Sequence, residues 1–433
     1  MPGHAKSLTG SPMSEAFPQL RPLNVQWTQW EGQPVVSLQD PLRLGGDGIM
    51  FPQAVAPLLA LCDGTRSLGD LRMGFLLRTG VTLSPGQVES FIQALDEACM
   101  LANHRFDLAL VQAMEAYRSG PCRSPALAGG GYPADPGRLR DAMDDYFRRA
   151  GSNDATGDEG DGPDDQGDGS RVVGLISPHI DYHRGWRTYA KIWGRMNQAV
   201  EQAELIIVLG TDHSGLPGSI NLTRQSYATP WGTLPTDTYL VDRLADILGE
   251  DHAFSQEAHH IGEHSIELAS VWLHYVNGGR PKTVLPVLCG GPEPYLGSKN
   301  GEAEDGACAN TRRALDLLKE VAASRPTLVV AAADISHMGP AFGDPAPIDA
   351  AGKARVHASD GAWLEAACSG NSDTLGDHIL EQGDPTRICG AAPIYLMAAI
   401  LGDARGRVVH YDQCPADDTF GSLVSIAGVV YSR

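Results

Sequence analysis

Three histidines and one cysteine lie where a buried sheet would bring side chains together. His179, His213 and His337 each follow a short apolar run, and Cys389 closely precedes a helix predicted over 391–401. The runs, which are predicted as strands, are 172–177, 205–209 and 327–333. Such runs between helical patterns are typical of parallel strands, whose carboxyl ends form the sites of open α/β sheets. The side chains are therefore expected to converge, and two imidazoles with a thiolate are good ligands for a redox-active or Lewis-acid metal.

Other polar residues near these positions could move protons. His264 lies between Glu263 and Ser265 at the start of an amphipathic helix, and it is the preferred acid or base. Asp334 and His337, which follow the third apolar run, are the other two catalytic candidates. Structural alternatives stay open, because a single histidine or a helix-start cysteine is often only a buried residue, and loop side chains often satisfy backbone groups.

Composition narrows the classes of partner. The 433 residues carry a formal net charge of −20, which argues against nucleic acid or an anionic membrane as the general partner because most of the surface repels phosphate. The first twenty residues lack a basic segment followed by an apolar one, and no apolar run approaches the roughly 20 residues of a membrane span. The eight cysteines show no C-x-x-C spacing, which favours reduced thiols. We expect a cytoplasmic protein.

Residues 22–118 are predicted to form a small separate domain. A strand is predicted over 33–38, and helices are predicted over 53–61, 67–78 and 84–100. The segment 59–71 (LALCDGTRSLGDL), followed by the helix through 88–101, resembles the PqqD-like peptide-recognition domain. This resemblance implies a winged-helix-like α+β fold that binds a peptide as an added edge strand.

Residues 119–433 are predicted to form a larger α/β domain. A Gly/Pro-rich stretch over 119–136 precedes a helix over 137–150, and 151–170 contains seven acidic residues and six glycines. That composition predicts a disordered insertion, because it offers no apolar surface to bury. From 171 onward strand-like and helical runs alternate, which predicts a mostly parallel sheet with helices on both faces.

Five ordered sequence blocks in this domain resemble the signature blocks of the Memo family, called AmmeMemoRadiSam system protein B in prokaryotes. The blocks are 177–182 (SPHIDY), 209–213 (LGTDH), 263–268 (EHSIEL), 334–339 (DISHMG) and 389–394 (CGAAPI). The stretch 131–136 (GYPADP) resembles the start of the same domain, so the acidic segment is interpreted as an insertion within it. The resemblance implies a fold similar to that of class III extradiol dioxygenases.

The resemblance also implies a ligand set. Block by block, the metal ligands proposed for the family fall on His179, His213 and Cys389, with Fe(II) as the expected metal and Cu or Zn as alternatives. The chain departs from many members at Asp181, where they carry glycine, and at Ser214, where they carry a second histidine. Both departures leave the three implied ligands in place.

We interpret the chain as a metal-dependent, dioxygenase-like oxidoreductase that acts on a small or peptide-borne substrate. The resemblance implies a pathway shared with AMMECR-type and radical-SAM proteins, and no nucleic-acid or membrane partner is expected. The alternative is a non-catalytic protein that handles metal or binds peptide through the same kind of cleft.

Overall fold

The computed structural model describes residues 17–46, 48–153, 171–296 and 306–433. Most of the predicted disordered insertion, residues 154–170, lies outside the described residues. Among the residues that are described, no helix combines the length and apolar character needed to cross a membrane. The chain divides into two compact units, one within residues 1–117 and the other within 118–433.

The amino-terminal unit combines a small sheet with helices. Its elements are β1 (Asn24–Trp30), β2 (Gln33–Gln39), β3 (Ile49–Pro52), α1 (Ala56–Leu59), α2 (Leu68–Thr79), α3 (Pro85–Glu97) and α4 (His104–Ser119), of which the last two residues already belong to the second unit. The strands pair antiparallel in the order β1-β2-β3. Capping boxes begin α2 at Ser67 and α3 at Ser84: each serine side chain accepts from the amide of the third helical residue, whose side chain accepts from the serine amide. Strand β1 was not predicted, since all seven of its residues are exposed and no burial pattern marks it.

The carboxy-terminal unit contains ten strands and twelve helices among its described residues. The strands are β4 (Val172–Ser177), β5 (Leu205–Thr211), β6 (Ile220–Leu222), β7 (Tyr227–Thr229), β8 (Gly232–Leu234), β9 (Val284–Cys289), β10 (Thr327–Ala332), β11 (His337–Met338), β12 (Arg405–Pro415) and β13 (Leu423–Ser432). The helices are α5 (Pro136–Asn153), α6 (Tyr182–Trp193), α7 (Asn197–Gln202), α8 (Thr238–Leu248), α9 (Glu250–Ala253), α10 (His259–Gly262), α11 (Ser265–Val276), α12 (Glu293–Leu296), α13 (Gly306–Ser324), α14 (Ala350–Cys368), α15 (Ser372–Gln382) and α16 (Ala391–Leu401).

The main sheet has eight strands, and its centre is parallel. Strands follow the order β11-β13-β4-β10-β5-β9-β6, with β12 paired to β13. The four neighbours β4, β10, β5 and β9 pair parallel, whereas β6, β11, β12 and β13 join antiparallel. Alternate residues of β5 face opposite sides: Ile206 and Val208 belong to one buried cluster, Ile207 and Leu209 to another. The predicted α/β fold with helices on both faces is confirmed.

Local boundaries differ from the sequence prediction for identifiable reasons. The helix predicted over 137–150 runs from Pro136 to Asn153. The single helix predicted over 186–200 is two helices: α6 begins early because the Asp181 side chain accepts a hydrogen bond from the Arg184 amide, and it ends at Gly194. The stretch over 119–136 is part of this unit, since the Arg123 amide donates to the Ser226 carbonyl.

Candidate metal centre

Three adjacent strands deliver polar side chains to one edge of the sheet. Strand β4 ends two residues before His179, β5 ends two residues before His213, and β10, which lies between them, ends two residues before Asp334. Because these strands are parallel, their carboxyl ends share an edge. The predicted convergence therefore follows from strand direction.

Two helices begin at the same edge. The Ser265 hydroxyl, in the first turn of α11, donates to the Thr211 carbonyl at 2.8 Å, which places His264 beside the end of β5. The Thr211 hydroxyl in turn donates to the Cys389 carbonyl at 3.1 Å. Glycine is required at position 390 before α16, because a Cβ there would lie 2.5 Å from the Asp334 carbonyl oxygen. This close approach brings Cys389 to the sheet edge.

His179, His213 and His264 form a group that could hold a metal ion. One ring nitrogen from each lies within 4.8 Å of the other two. The His213 and His264 rings stack, with centroids 4.9 Å apart and an interplanar angle of 11°, and the His179 ring meets both edge-on. His179 is buried, whereas the side chains of His213 and His264 are 37% and 38% exposed. The group is therefore closed on one side and open on the other.

The Nδ1 atom of each imidazole lies within hydrogen-bond distance of an acceptor oxygen. His179 Nδ1 lies 2.9 Å from the Ala332 carbonyl oxygen, and His213 Nδ1 lies 3.0 Å from Glu263 Oε2. His264 Nδ1 lies 3.1 Å from the other oxygen of the same carboxylate. Carbonyl and carboxylate oxygens only accept, so each Nδ1 carries a proton, and Nε2 is the atom that a metal would bind in place of a second proton. The three side chains thus fit a bound ion.

Cys389 supplies a sulfur donor beside these rings. Its Sγ lies 3.3 Å from His179 Nε2, although it is not part of the mutually close group of three nitrogens. Burial opposes ionisation of the thiol, but the His179 and His213 imidazoles outweigh this effect and lower the pKa of Cys389 to about 5. Thiolate is the form that binds metal, so the side chain is ready to act as a ligand at neutral pH.

The surrounding charges favour a cation. Burial opposes the charge on Glu263, but the adjacent His213 imidazole outweighs it and holds the pKa of Glu263 well below its usual range. Burial likewise opposes protonation of His179, yet the nearby Asp334 carboxylate and Cys389 thiolate raise its pKa to about 9. Two carboxylates and a thiolate therefore surround the imidazoles. A divalent ion could balance these negative charges in place of the protons that the imidazoles otherwise carry.

Asp334 and His337, the predicted catalytic candidates, both make backbone hydrogen bonds here. Asp334 Oδ1 accepts from the amides of His179 and Ile180 at 2.8 and 3.2 Å, and its Oδ2 lies 3.7 Å from His179 Nε2. His337 Nδ1 lies 3.2 and 3.1 Å from the carbonyl oxygens of Ile335 and Arg387. Asp334 therefore fixes the segment that carries His179.

Glu263, which the sequence reasoning did not single out as a site residue, holds two of the three imidazoles. Asp181 and Asp212 are nearer in sequence to His179 and His213, but neither performs that role. Asp181 caps α6, and Asp212 accepts from His259 Nδ1 at 2.9 Å. The available signal was the position of Glu263 directly before His264, in the same block.

Glu263→Gln should lower metal affinity by about 10- to 100-fold, as is typical when the hydrogen-bond partner of a ligating histidine is lost. The amide keeps the shape of the side chain but offers one acceptor oxygen to two Nδ1–H donors. The measurement is titration of metal into metal-free protein against a competing chelator. Glu257→Gln is the control, because Glu257 is a buried glutamate that pairs instead with Thr223 and Arg118. Equal affinity in Glu263→Gln and the wild type would contradict the assigned role.

Comparison with known proteins identifies the family of this chain. Residues 123–430 match the family model described as Memo-like protein, which is well over half of the chain. The chain is similar to a MEMO1 family protein of Aquifex aeolicus, 25% identical over 91% of this chain and 95% of the relative. MEMO1 family proteins of Thermus thermophilus and Desulfurococcus amylolyticus are each 26% identical, over 80% and 71% of this chain and 93% and 96% of their own lengths. The chain belongs to the Memo-like protein family.

Proposed function

We propose that the carboxy-terminal unit is a metal-dependent, dioxygenase-like oxidoreductase acting on a small or peptide-borne substrate. The observation that carries this proposal is that the His179 and His213 imidazoles meet beside the Cys389 sulfur, with the His264 ring next to them. Fe(II) is the proposed metal, with Cu or Zn as alternatives, because imidazole and thiolate donors suit all three.

His179, His213 and Cys389 are the proposed ligands, and His264 is the proposed acid or base. When bound, the ion would supply Lewis acidity and, if it is iron or copper, electron transfer. His179 is closed off by the protein, whereas His213 and His264 are partly exposed, so substrate would approach from their side. Glu263 holds the proton of His264 on Nδ1, which leaves Nε2 to accept a proton from substrate. Asp334 and His337 are proposed to line the reacting region.

The amino-terminal unit is proposed to bind a peptide, as the PqqD-like resemblance implies. Strand β1 is an edge strand whose seven residues are all exposed, including Trp27 at 61%. Trp27 pairs in register with Val36 of β2, so the two side chains lie on the same face of the sheet. Val36 is fully buried on this face, whereas Trp27 at the edge is exposed. An added peptide strand would pair with β1 and cover this tryptophan.

We further propose AMMECR-type and radical-SAM proteins as pathway partners. The exposed edge strand β1 also favours the alternative function, in which the protein is non-catalytic and handles metal or recruits a peptide.

Anaerobic purification followed by metal analysis and reconstitution tests the proposed function. Protein loaded with Co(II) should show thiolate-to-cobalt charge-transfer absorption that disappears in Cys389→Ala and persists in His264→Gln. Protein loaded with Fe(II) should consume oxygen in the presence of catechols as probe substrates, and His264→Gln should slow this uptake without lowering iron content. Failure to retain any metal would overturn the metal-site proposal. Full Fe(II) occupancy without oxygen uptake would favour the non-catalytic alternative.

A further inference from the structure

A cavity of about 410 Å³ lies next to the segment that carries His337. Its walls come from Met338 and Gly339 of β11 and the loop after it, the loop 344–349, the first turns of α14, and Pro385 with Thr386. Volumes between roughly 300 and 1,000 Å³ are typical of sites for small organic ligands. The cavity is therefore large enough for a small molecule and does not include the three imidazoles.

The walls of this cavity are mostly apolar and stiff. Three prolines, Pro345, Pro347 and Pro385, line it together with Met338 and Val356. Proline side chains lose no rotamer freedom on binding, so apolar contact with them costs little ordering entropy. Such walls suit the hydrocarbon part of a ligand.

Among the described residues, three charged side chains line the cavity, and the two acidic ones make hydrogen bonds whereas the basic one does not. Asp344 accepts hydrogen bonds from the Gly339 amide and the Arg387 guanidinium, and Asp349 caps α14 by accepting from the Gly352 amide. Arg355, by contrast, makes no hydrogen bond or ion pair with any residue that the structure describes. A guanidinium presents five donors in a geometry that matches a carboxylate. Arg355 is exposed, so its guanidinium can be reached by a ligand that enters the cavity from solvent.

We propose that this cavity binds a small organic carboxylate, with the carboxylate on Arg355 and the apolar body against Met338 and the prolines. This inference goes beyond the proposed function, because the cavity needs no metal and no imidazole to bind its ligand. Thr386 nevertheless connects the two regions, since its carbonyl accepts the His337 amide at 2.8 Å. A ligand in the cavity would contact Met338, the immediate neighbour of His337.

The test uses the full-length protein treated with a chelator, so that failure of the metal proposal does not affect the result. Phenylbutyrate is titrated calorimetrically, with phenylbutanol and phenylbutylamine as neutral and cationic analogues of the same length. The acid should bind more tightly than either analogue, and Arg355→Gln should weaken it by about tenfold or more, as expected for a charge-assisted hydrogen bond. Arg355→Glu should shift the preference toward the amine.

Arg138→Gln is the matched control, because it removes the same charge from an exposed position on α5 outside the cavity, and it should leave binding unchanged. Equal binding of acid and alcohol, or equal binding by Arg355→Gln and the wild type, would overturn the proposal. A peptide with a free carboxy terminus and its amidated counterpart complete the test. Selective binding of the free-ended peptide at higher affinity than phenylbutyrate would show that the occupant is a peptide end, which would overturn the small-molecule assignment.

Discussion

His179→Ala should reduce metal binding below detection in protein purified anaerobically. The substitution removes the most buried of the three imidazoles and leaves the Ala332 carbonyl without its hydrogen-bond donor. Loss of the hydrogen-bond partner of a ligand typically lowers metal affinity by about 10- to 100-fold. Loss of the ligand itself should lower the affinity further. Metal content per chain, measured by elemental analysis after dialysis, is the readout.

His274→Ala provides the matched control for this prediction. His274 is equally buried and contacts the Thr229 hydroxyl at 2.7 Å, so its loss creates a similar cavity. It lies ten residues along α11 from His264, about 15 Å by helical rise. Both variants should lose stability, but only His179→Ala should lose metal. Full metal content in His179→Ala would mean that the ion, if bound at all, is held by other residues.

The convergence of His179 and His213 could be predicted from sequence, because it depends on strand direction alone. Apolar runs identify buried strands, and parallel strands bring their carboxyl ends to one edge of the sheet. The predicted runs at 172–177 and 205–209 correspond to β4 and β5, which a single strand separates. Their order in the sheet was not needed for this prediction, only their common direction.

The hydrogen-bond partners of these histidines could not be predicted in the same way. Asp212 is the immediate neighbour of His213, yet its carboxylate turns to His259, and Glu263 reaches His213 from fifty residues away. Which carboxylate bonds to a given histidine depends on side-chain rotamers and on the packing of α10 and α11 against the sheet. Neither can be inferred from the periodicity of the sequence. The antiparallel outer strands β6 and β11 were also missed, because they are only three and two residues long.

Arg123→Met should lower the free energy of unfolding of the carboxy-terminal unit by about 3–5 kcal/mol, the usual cost of breaking a buried ion pair from one side. Arg123 and Glu267 pair with side chains that are each 1% exposed. Arg123 also donates to the carbonyls of His260 and Glu263, both at 2.8 Å. Methionine fills much of the volume but leaves the Glu267 charge buried without its partner. Urea denaturation of metal-free protein measures the loss without a contribution from bound ion.

A double variant separates the charge effect from simple loss of packing. In Arg123→Met with Glu267→Gln, the amide oxygen can still accept from the Leu127 amide and the Tyr132 hydroxyl, which contact the same oxygen of Glu267, while the unpaired charge is removed. The double variant should therefore be more stable than Arg123→Met alone. A single variant within about 0.5 kcal/mol of the wild type, the range of ordinary surface substitutions, would contradict the prediction. Because Arg123 also holds the backbone of Glu263, Arg123→Met should weaken metal binding, though less than Glu263→Gln does.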